Sequence, residues 1–571
     1  MASNHEPYKR STRRDFLKMA GGVAGAAAGA AVAAPYAFAH HHPRPTPQSL
    51  TYLDQRMYLN NMEIIAHIPG PGRAGGAQIM SASGGQRLLF QGNSVFDVTD
   101  PRNPKAINKG NSVGGQLAYN KDLKKWILIQ ASQVPYFANG PGLAAEGKYG
   151  DPKILEMYKK WEGLRGLRVY DVTDPEKQVK ISEFTTGKTG SGVHGDSFFY
   201  DGGKYAYLDT APDDTYTGLL HNLTPYSNCL MIVDVSDPSN VKEVSRWHVP
   251  GQRAGAPGET QILKKWKILE GRGAEKIPDK PLTMEDARQY FKELKFPALD
   301  RLPYSMSHLP LYVPKRVEDG GTLGYGTWSA FGFIIHDLSD IKNPKAIGRF
   351  DPTPTYGLDG IPFHSAWLGM LDRGFVITNP ESMNPDCNES YLPSWVIDVR
   401  DPKNPVAISQ LPRPKPPADA PFDDFCFARG RFSPHICPAL TAPGRPSQTA
   451  HVLSWFNAGL RVFDLSNPFS PKESAYFVAP HGGDLSPECV APTSNEGRLL
   501  EPDVAKHCDE QGNSYSRPTD QCFVEWDRNL IYAGTTTGLY ILSTPALGKP
   551  VLGAMPVREW SLPQLNVGAQ T

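Results

Sequence analysis

The chain has 571 residues, and its 59 Lys and Arg are balanced by 59 Asp and Glu, so the formal net charge is zero. This balance argues against nucleic acid and anionic membrane surfaces as partners, because both select basic proteins. With 54 Gly and 53 Pro, the composition favours many short strands and turns over a helical protein.

The first predicted element is an export signal over residues 1–39. Thr12–Lys18 (TRRDFLK) precedes an Ala- and Gly-rich run that ends in Ala37–Ala39 (AFA), the order of a basic region, an apolar region and a cleavage site. The paired arginines followed by Phe-Leu-Lys resemble the twin-arginine (Tat) signal. We therefore expect the Tat translocon as a partner during export, and a periplasmic mature protein. No integral membrane segment is expected after processing, since no other long apolar run is present.

Residues 40–60 are polar and Pro-rich and are predicted to form a flexible segment. From residue 61 to 571 one phrase recurs: a β-branched and aromatic run, an Asp, a Ser/Thr-Asp-Pro turn and a second short strand. Its seven copies begin at Ser94, Leu167, Leu230, Phe333, Trp395, Leu460 and Leu539. The Asp side chain can bond the backbone of its own turn while Pro presets the turn dihedral, although the last copy lacks the Asp-Pro pair.

Two further strand-like runs precede each phrase, which makes four strands per unit and indicates an all-β, seven-bladed β-propeller. The predicted blades lie near 76–110, 114–186, 192–251, 304–352, 362–411, 433–479 and 519–556. Ile64–Ile68 is predicted to be the outer strand that closes the last blade against the first.

These phrases resemble the LVIVD repeat of bacterial β-propeller proteins, and similar turns occur in the propeller of the selenium-binding protein and methanethiol oxidase family. The resemblance covers nearly all of the mature chain, but mostly through one turn-bearing phrase per unit. It implies the architecture and carries little information about chemistry.

Long insertions fall in the connections that emerge on one face of such a propeller, and insertions on one face mark a binding face. They span 133–166, 211–228, 252–303, 380–394, 412–432 and 481–518. Residues 151–163 and 283–295 begin with good helix caps and are predicted to be helical. Pro412–Pro421 is too rich in Pro for a helix and is predicted to be an extended strap.

Four histidines, His194, His308, His364 and His435, start the innermost strand of four consecutive blades, where the other blades offer Gln78, Gln116 and Gln521. Imidazole is the commonest ligand of transition metals, and nitrogens arriving from one side of a channel leave the open positions that a catalytic metal needs. Copper or iron is favoured, with zinc and manganese as alternatives. The competing interpretation is an inherited packing feature in which each His donates to a neighbouring carbonyl.

Glu381 and Asp209 follow second strands on the same face and are the candidate catalytic residues, as general bases or as acceptors behind the metal ligands. Alternatively, they are turn-forming acids beside Pro380 and Thr210. Seven cysteines leave at least one without a disulfide partner. Spacing alone allows local bridges between Cys426 and Cys437 and between Cys489 and Cys508.

The favoured function is that of an exported metal-dependent enzyme, an oxidoreductase acting on a small organic or sulfur compound at the four histidines. A metal-dependent lyase or hydrolase on the same site is the first alternative, because a metal can also activate water. The second alternative is a non-catalytic propeller that binds a protein or glycan on the face that carries the insertions, which is called the decorated face below. No substrate can be derived from the sequence.

Overall fold

The computed structural model describes residues 56–69, 77–110, 112–134, 159–213, 215–216, 228–249, 252–253, 307–352, 361–382, 387, 391–428, 431–480 and 519–555. Residues 1–39, predicted to be the export signal, lie outside this set. So do 283–295 and most of 151–163, the two predicted helices, and Cys489 and Cys508. In the described part of the chain, no helix is both long enough and apolar enough to cross a membrane.

The described residues contain 27 strands in seven antiparallel sheets, arranged as the blades of a β-propeller. Blade 1 consists of β3 (Gln78–Ser81), β4 (Arg87–Gln91), β5 (Ser94–Asp97) and β6 (Lys105–Lys109). Blade 2 consists of β7 (Gln116–Asn120), β8 (Lys125–Ser132), β9 (Gly166–Asp171) and β10 (Val179–Thr185). Blade 3 consists of β11 (Gly192–Phe199), β12 (Tyr205–Ala211), β13 (Cys229–Asp234) and β14 (Lys242–Trp247).

The remaining blades follow in chain order. Blade 4 contains β15 (Leu323–Thr327), β16 (Phe333–Asp337) and β17 (Lys345–Phe350). Blade 5 contains β18 (Ile361–Trp367), β19 (Phe375–Glu381), β20 (Trp395–Asp398) and β21 (Val406–Gln410). Blade 6 contains β22 (Ala450–Ser454), β23 (Leu460–Asp464), β24 (Lys472–Val478) and β1 (Tyr58–Asn60), and blade 7 contains β25 (Gln521–Glu525), β26 (Leu530–Thr535), β27 (Gly538–Ser543) and β2 (Glu63–Pro69). Short 3-10 helices occupy Ser83–Gly85, Val317–Asp319, Ser329–Phe331, Leu371–Arg373 and Phe425–Phe427.

The ring is closed by the start of the chain, as predicted. β2 pairs with β27 in a register that joins Ile64 to Leu542 and Ile68 to Leu539. β1 adds a further outer strand to blade 6, where Tyr58 lies opposite Val478. The segment predicted to be flexible, 40–60, therefore contains a paired strand at its carboxyl end.

The repeated turn forms as its residues predict. In six copies the Asp at the end of the third strand accepts a hydrogen bond from the amide two residues later, which fixes the reversal. The amide and carboxylate pairs are Thr99–Asp97 (2.9 Å), Thr173–Asp171 (3.0 Å), Ser236–Asp234 (2.9 Å), Ser339–Asp337 (2.9 Å), Arg400–Asp398 (3.0 Å) and Ser466–Asp464 (2.8 Å).

The innermost segments of blades 4 and 6 pair only briefly with their neighbours. In blade 4, Tyr312 and Tyr325 exchange two backbone hydrogen bonds of 2.9 Å, between Pro310 and Pro314. In blade 6, His435 N donates to Ser454 O at 3.0 Å, between Pro434 and Pro438. Proline has no amide hydrogen to give to a ladder, so these segments stay short and hold their residues without forming regular strands.

The described cysteines correct one of the pairings that spacing allows. Cys426 forms a disulfide with Cys387, and Cys437 is a buried free thiol. Cys437 lies in the inner segment of blade 6, where its thiol faces Ala366 O at 3.7 Å. The disulfide instead joins the insertion over 412–432 to the insertion that precedes β20, so two connections of the decorated face are linked covalently. The whole 412–432 insertion, which begins with the predicted extended segment, is called the strap below.

Candidate metal centre

The structure brings the four predicted histidines side by side. Ring centroids are 5.3 Å apart for His194 and His308, 4.5 Å for His308 and His364, and 4.9 Å for His364 and His435. Each ring comes from the inner segment of a successive blade, from blade 3 to blade 6. A feature that repeats along the sequence has thus become a continuous arc of imidazoles.

Hydroxyl groups of the preceding blade hold the backbone of these histidines. Thr327 Oγ1 donates to His364 O at 2.8 Å, and Ser365 Oγ donates to His435 O at 3.1 Å. Ser197 Oγ bonds His308 O in the same way. Because each bond joins one blade to the inner segment of the next, the spacing between blades fixes the spacing between the rings.

Glu381, at the end of β19, places its carboxylate among three of the rings. Its Oε2 lies 3.2 Å from His364 Nε2 and 3.7 Å from His308 Nε2, and its Oε1 lies 3.4 Å from His435 Nε2. The ligand atoms of His308, His364 and Glu381 all lie within 4.8 Å of one another. Ligands bound to one ion at about 2.0–2.2 Å cannot be more than about twice that distance apart, so small side-chain adjustments would let these three groups bind one ion.

Burial and charge set the protonation of this group. Desolvation alone would raise the pKa of Glu381, but Arg431, His364 and His435 outweigh it and hold that pKa well below the usual range. Burial lowers the pKa of His364 to about 3. The carboxylate is therefore ionised and the His364 ring neutral at pH 7, which are the forms that bind metals.

His435 has a second carboxylate on its other nitrogen. Its Nδ1 lies 3.2 Å from Asp520 Oδ1 and 2.8 Å from Asp520 O. Desolvation opposes the charged ring, but Glu381 and Asp520 raise the pKa of His435 to about 9. A carboxylate behind an imidazole orients the ring in metal sites. Here Asp520 holds the Nδ1 side and leaves Nε2 turned toward Glu381.

His194 is oriented in a comparable way at the other end of the arc. Its Nδ1 lies 3.0 Å from Gln133 Oε1, and Gln133 pairs through its backbone with Gly192 at the start of β11. An amide oxygen beside Nδ1 fixes that nitrogen as the N–H donor of the neutral ring. The lone pair of that neutral ring is then on Nε2, the form that binds a metal.

The contacts that define this cluster, between Glu381 and the histidines, do not include Asp209. It lies within β12, fully buried, and accepts a hydrogen bond of 2.6 Å from Ser307 Oγ, the residue before His308. Its position supports the inner segment of blade 4. Glu381 and Asp209 both lie inside strands, so their alternative interpretation as turn-forming acids is wrong.

Sequence reasoning missed Arg431, Asp520 and Phe456. Ser454 Oγ, at the end of β22, donates to Asp520 O at 2.9 Å, the same bond that Thr327 Oγ1, at the end of β15, makes to His364 O. Asp520 therefore occupies the histidine position in blade 7, one residue before the Gln521 selected from the repeat alignment. Arg431 and Phe456 carried no repeat signal, since one belongs to the strap and the other to a turn.

The competing interpretation, histidines that donate to neighbouring carbonyls, describes only part of the geometry. It fits His435 Nδ1 and Asp520 O. It does not describe the Nε2 atoms of His308 and His364, which face a carboxylate oxygen. Tyr325, Trp328 and Trp367, which also lie near the inner strands, are fully buried in the blades and pack there.

Comparison with known proteins supports the repeat. Residues 226–249 match the LVIVD repeat family, which covers β13 and β14. The crystal structure of Saccharomyces cerevisiae Sqt1 superposes with a TM-score of 0.37 at 8% identity, over 85% of this chain and 99% of that one. Chaetomium thermophilum Raptor gives a TM-score of 0.37 at 10% identity, over 87% of this chain and 30% of that one. No curated protein sequence matches this chain.

Proposed function

We propose that this chain is a metal-dependent oxidoreductase acting on a small organic or sulfur compound at the decorated face of the propeller. One observation carries the proposal: Glu381 Oε2 lies between the Nε2 atoms of His308 and His364, with His435 and His194 completing the arc. Arg431 pairs with Oε1 of this carboxylate, whereas Oε2 faces the imidazole nitrogens. A bound cation would satisfy the convergent nitrogen and oxygen lone pairs.

The donor set favours iron(II) over copper. Two histidines and one carboxylate form the ligand set of non-haem iron(II) oxygenases, which leaves positions open for oxygen and substrate. Copper remains compatible with the nitrogen-rich arc, and zinc or manganese with the carboxylate. In each case the protein's own contribution is the same: His308, His364 and Glu381 would hold the ion, while Asp520 and Gln133 orient the neighbouring rings.

Export through the Tat translocon to the periplasm belongs to the same proposal. It is supported by the Thr12–Lys18 motif and by the Cys387–Cys426 disulfide, since disulfides persist in oxidising compartments. Tat export carries folded proteins and is compatible with a metal loaded beforehand. Replacing Arg13 and Arg14 by Lys is expected to keep the protein out of the periplasmic fraction.

The test is metal analysis of the protein purified from the periplasm, with His308→Ala and His364→Ala as variants. We expect about one transition-metal ion per chain in the wild type and near-complete loss in both variants, because each loses a ligand. His67→Ala is the matched control. His67 stacks on Tyr540 at 4.1 Å in blade 7, outside the arc, and its variant is expected to keep the metal.

The outcomes separate the three classes of function. Oxygen consumption with small thiols or other organic reductants, lost together with the metal, supports the oxidoreductase. Turnover that needs the metal but consumes no oxygen would indicate a lyase or hydrolase instead. A folded, metal-free native protein that is unaltered by both substitutions would contradict the enzyme and leave the propeller as a binding platform.

A further inference from the structure

Arg431 connects the strap, the carboxylate and a neighbouring turn. Its side chain is 1% exposed, and its Nη2 pairs with Glu381 Oε1. Its Nε donates to Ser382 O, and its guanidinium lies over the ring of Phe456, 4.4 Å from the centroid. A planar guanidinium held on an edge and on a face has little rotational freedom, so the carboxylate that it binds is equally fixed.

This contact makes the two oxygens of Glu381 unequal. Oε1 is engaged by Arg431, while Oε2 faces the Nε2 atoms of His308 and His364. A carboxylate can bind a metal through one oxygen or through both, and it can bridge two ions. The guanidinium occupies the side of Glu381 on which a second metal bond, or a second ion, would form.

Phe456 provides an independent observation at the same place. Its φ of 34° is positive, a conformation that is a genuine outlier for a bulky residue and is strained. Ser329 (φ 43°) occupies the same position of the corresponding turn in blade 4. In blade 6 the strained residue carries a ring, and this ring stacks on His435 at 4.4 Å as well as on Arg431.

The strap fixes this turn from the other side. Asn457 Nδ2, one residue beyond Phe456, donates to Phe425 O at 3.0 Å and to Ala428 O at 2.7 Å. Both carbonyls belong to the strap that is linked by the Cys387–Cys426 disulfide. The turn that carries the strained ring is therefore bound to a segment that a disulfide also anchors.

We propose that Arg431 is a positioning residue that restricts Glu381 to one-oxygen coordination of a single metal ion, with Phe456 holding the guanidinium in place. This inference rests on the proposed metal centre and specifies its nuclearity and coordination. It assigns the strain at Phe456 a purpose, since the ring fills the space between the arginine and His435.

The test is titration of the metal-free protein with Co²⁺ alone, comparing the visible spectra of the wild type and Arg431→Gln. Glutamine carries no positive charge and cannot form the ion pair with Glu381 Oε1, so both carboxylate oxygens of Glu381 become available to the ion. We expect one Co²⁺ per wild-type chain. In the variant the coordination number should rise, seen as weaker and shifted ligand-field bands.

Arg461→Gln is the matched control, because Arg461 is a fully buried arginine of the same blade. It pairs with Glu473 at 3.1 Å and lies over Phe425 at 5.2 Å, away from the histidines. Its variant is expected to reproduce the wild-type spectrum, which separates coordination at Glu381 from loss of a buried cation in general.

A spectrum of Arg431→Gln identical to that of the wild type would overturn the inference, as would two Co²⁺ ions per wild-type chain. If Arg431→Gln does not fold, Arg431→Lys is judged by the same criterion, since an ammonium cannot hold Glu381 and Ser382 in the same planar geometry. A wild type that takes up no Co²⁺ and contains no native metal would instead show that the proposed function is wrong.

Discussion

Two buried charged clusters of this propeller resemble each other in composition and differ in how their atoms are paired. In the closing seam, where blade 7 meets blade 1, Arg87 lies 3.3 Å from Glu525 and 2.6 Å from Asp527. Arg528 lies 3.5 Å from Glu525 and donates to the carbonyls of Val98 and Thr99 at 3.1 and 3.0 Å. Tyr532 OH completes the seam with a 2.9 Å bond to Glu525.

The candidate metal centre, formed by His308, His364 and Glu381, is built on the opposite principle. In the closing seam the acids face hydrogen-bond donors: two guanidinium groups and a phenol. At Glu381 one oxygen faces Arg431, but the other faces imidazole nitrogens of which the His364 ring is neutral. Donors matched with acceptors indicate a structural cluster, whereas converging lone pairs indicate a site for a cation. The residue composition of the two clusters alone would not distinguish the structural one from the candidate cation site.

The largest expected effect is on the closing seam. Arg87→Met should destabilise the protein by about 3–5 kcal/mol, because it removes the guanidinium that pairs with the buried carboxylate of Asp527 and one of the two that face Glu525. Urea unfolding measures the change, and Co²⁺ binding should stay intact. Arg102→Met is the control, since Arg102 pairs with Asp100 on the surface with 59% and 47% of their side chains exposed. An equal loss of stability in both variants would contradict a structural role specific to the closing seam.

A smaller effect, on metal affinity, is expected from Asp520, which lies behind His435 at the candidate metal centre. Asp520→Asn keeps the shape of the residue that orients His435 but removes its charge. Loss of such an outer partner lowers metal affinity by about 10–100-fold, which competition of Co²⁺ with a chelator would measure. Asp201→Asn is the control, because Asp201 is a buried acid that pairs with Arg316 at 2.8 Å. Unchanged affinity in Asp520→Asn would show that the charge of Asp520 does not support metal binding.

The smallest expected effect is a pH dependence within the closing seam. Burial and the neighbouring Glu525 raise the pKa of Asp527 to about 7, against the opposing influence of Arg87 and Arg528. A folded-state pKa above the unfolded value of about 4 means that the proton stabilises the fold. This stabilisation is fully present below pH 4 and is lost as the pH rises through 7.

Asp527→Asn should remove this dependence, because the amide resembles the protonated acid at every pH. The free energy of unfolding of the variant, relative to the wild type, should therefore increase between pH 5 and pH 8. Urea unfolding at the two pH values provides the measurement. If the free energies of unfolding of the two proteins change by the same amount between pH 5 and pH 8, Asp527 has the same pKa in the folded and the unfolded chain.

The repeat itself determined the architecture and the location of the histidines. A period of one blade places equivalent residues at equivalent points of the ring, so His194, His308, His364 and His435 were predictable as starts of inner strands. Their turns were predictable too, because an Asx turn is local and depends on a few adjacent residues.

The tertiary structure alone decided which groups meet at the candidate metal centre. Arg431 reaches Glu381 across 50 residues, and Cys426 pairs with Cys387 rather than with the nearer Cys437. Each of these contacts involves at least one insertion that has no counterpart in the other blades, so no period of the sequence encodes them. The physical reason is that the repeat fixes backbone positions, whereas side-chain contacts between non-equivalent loops depend on how those loops fold over the ring.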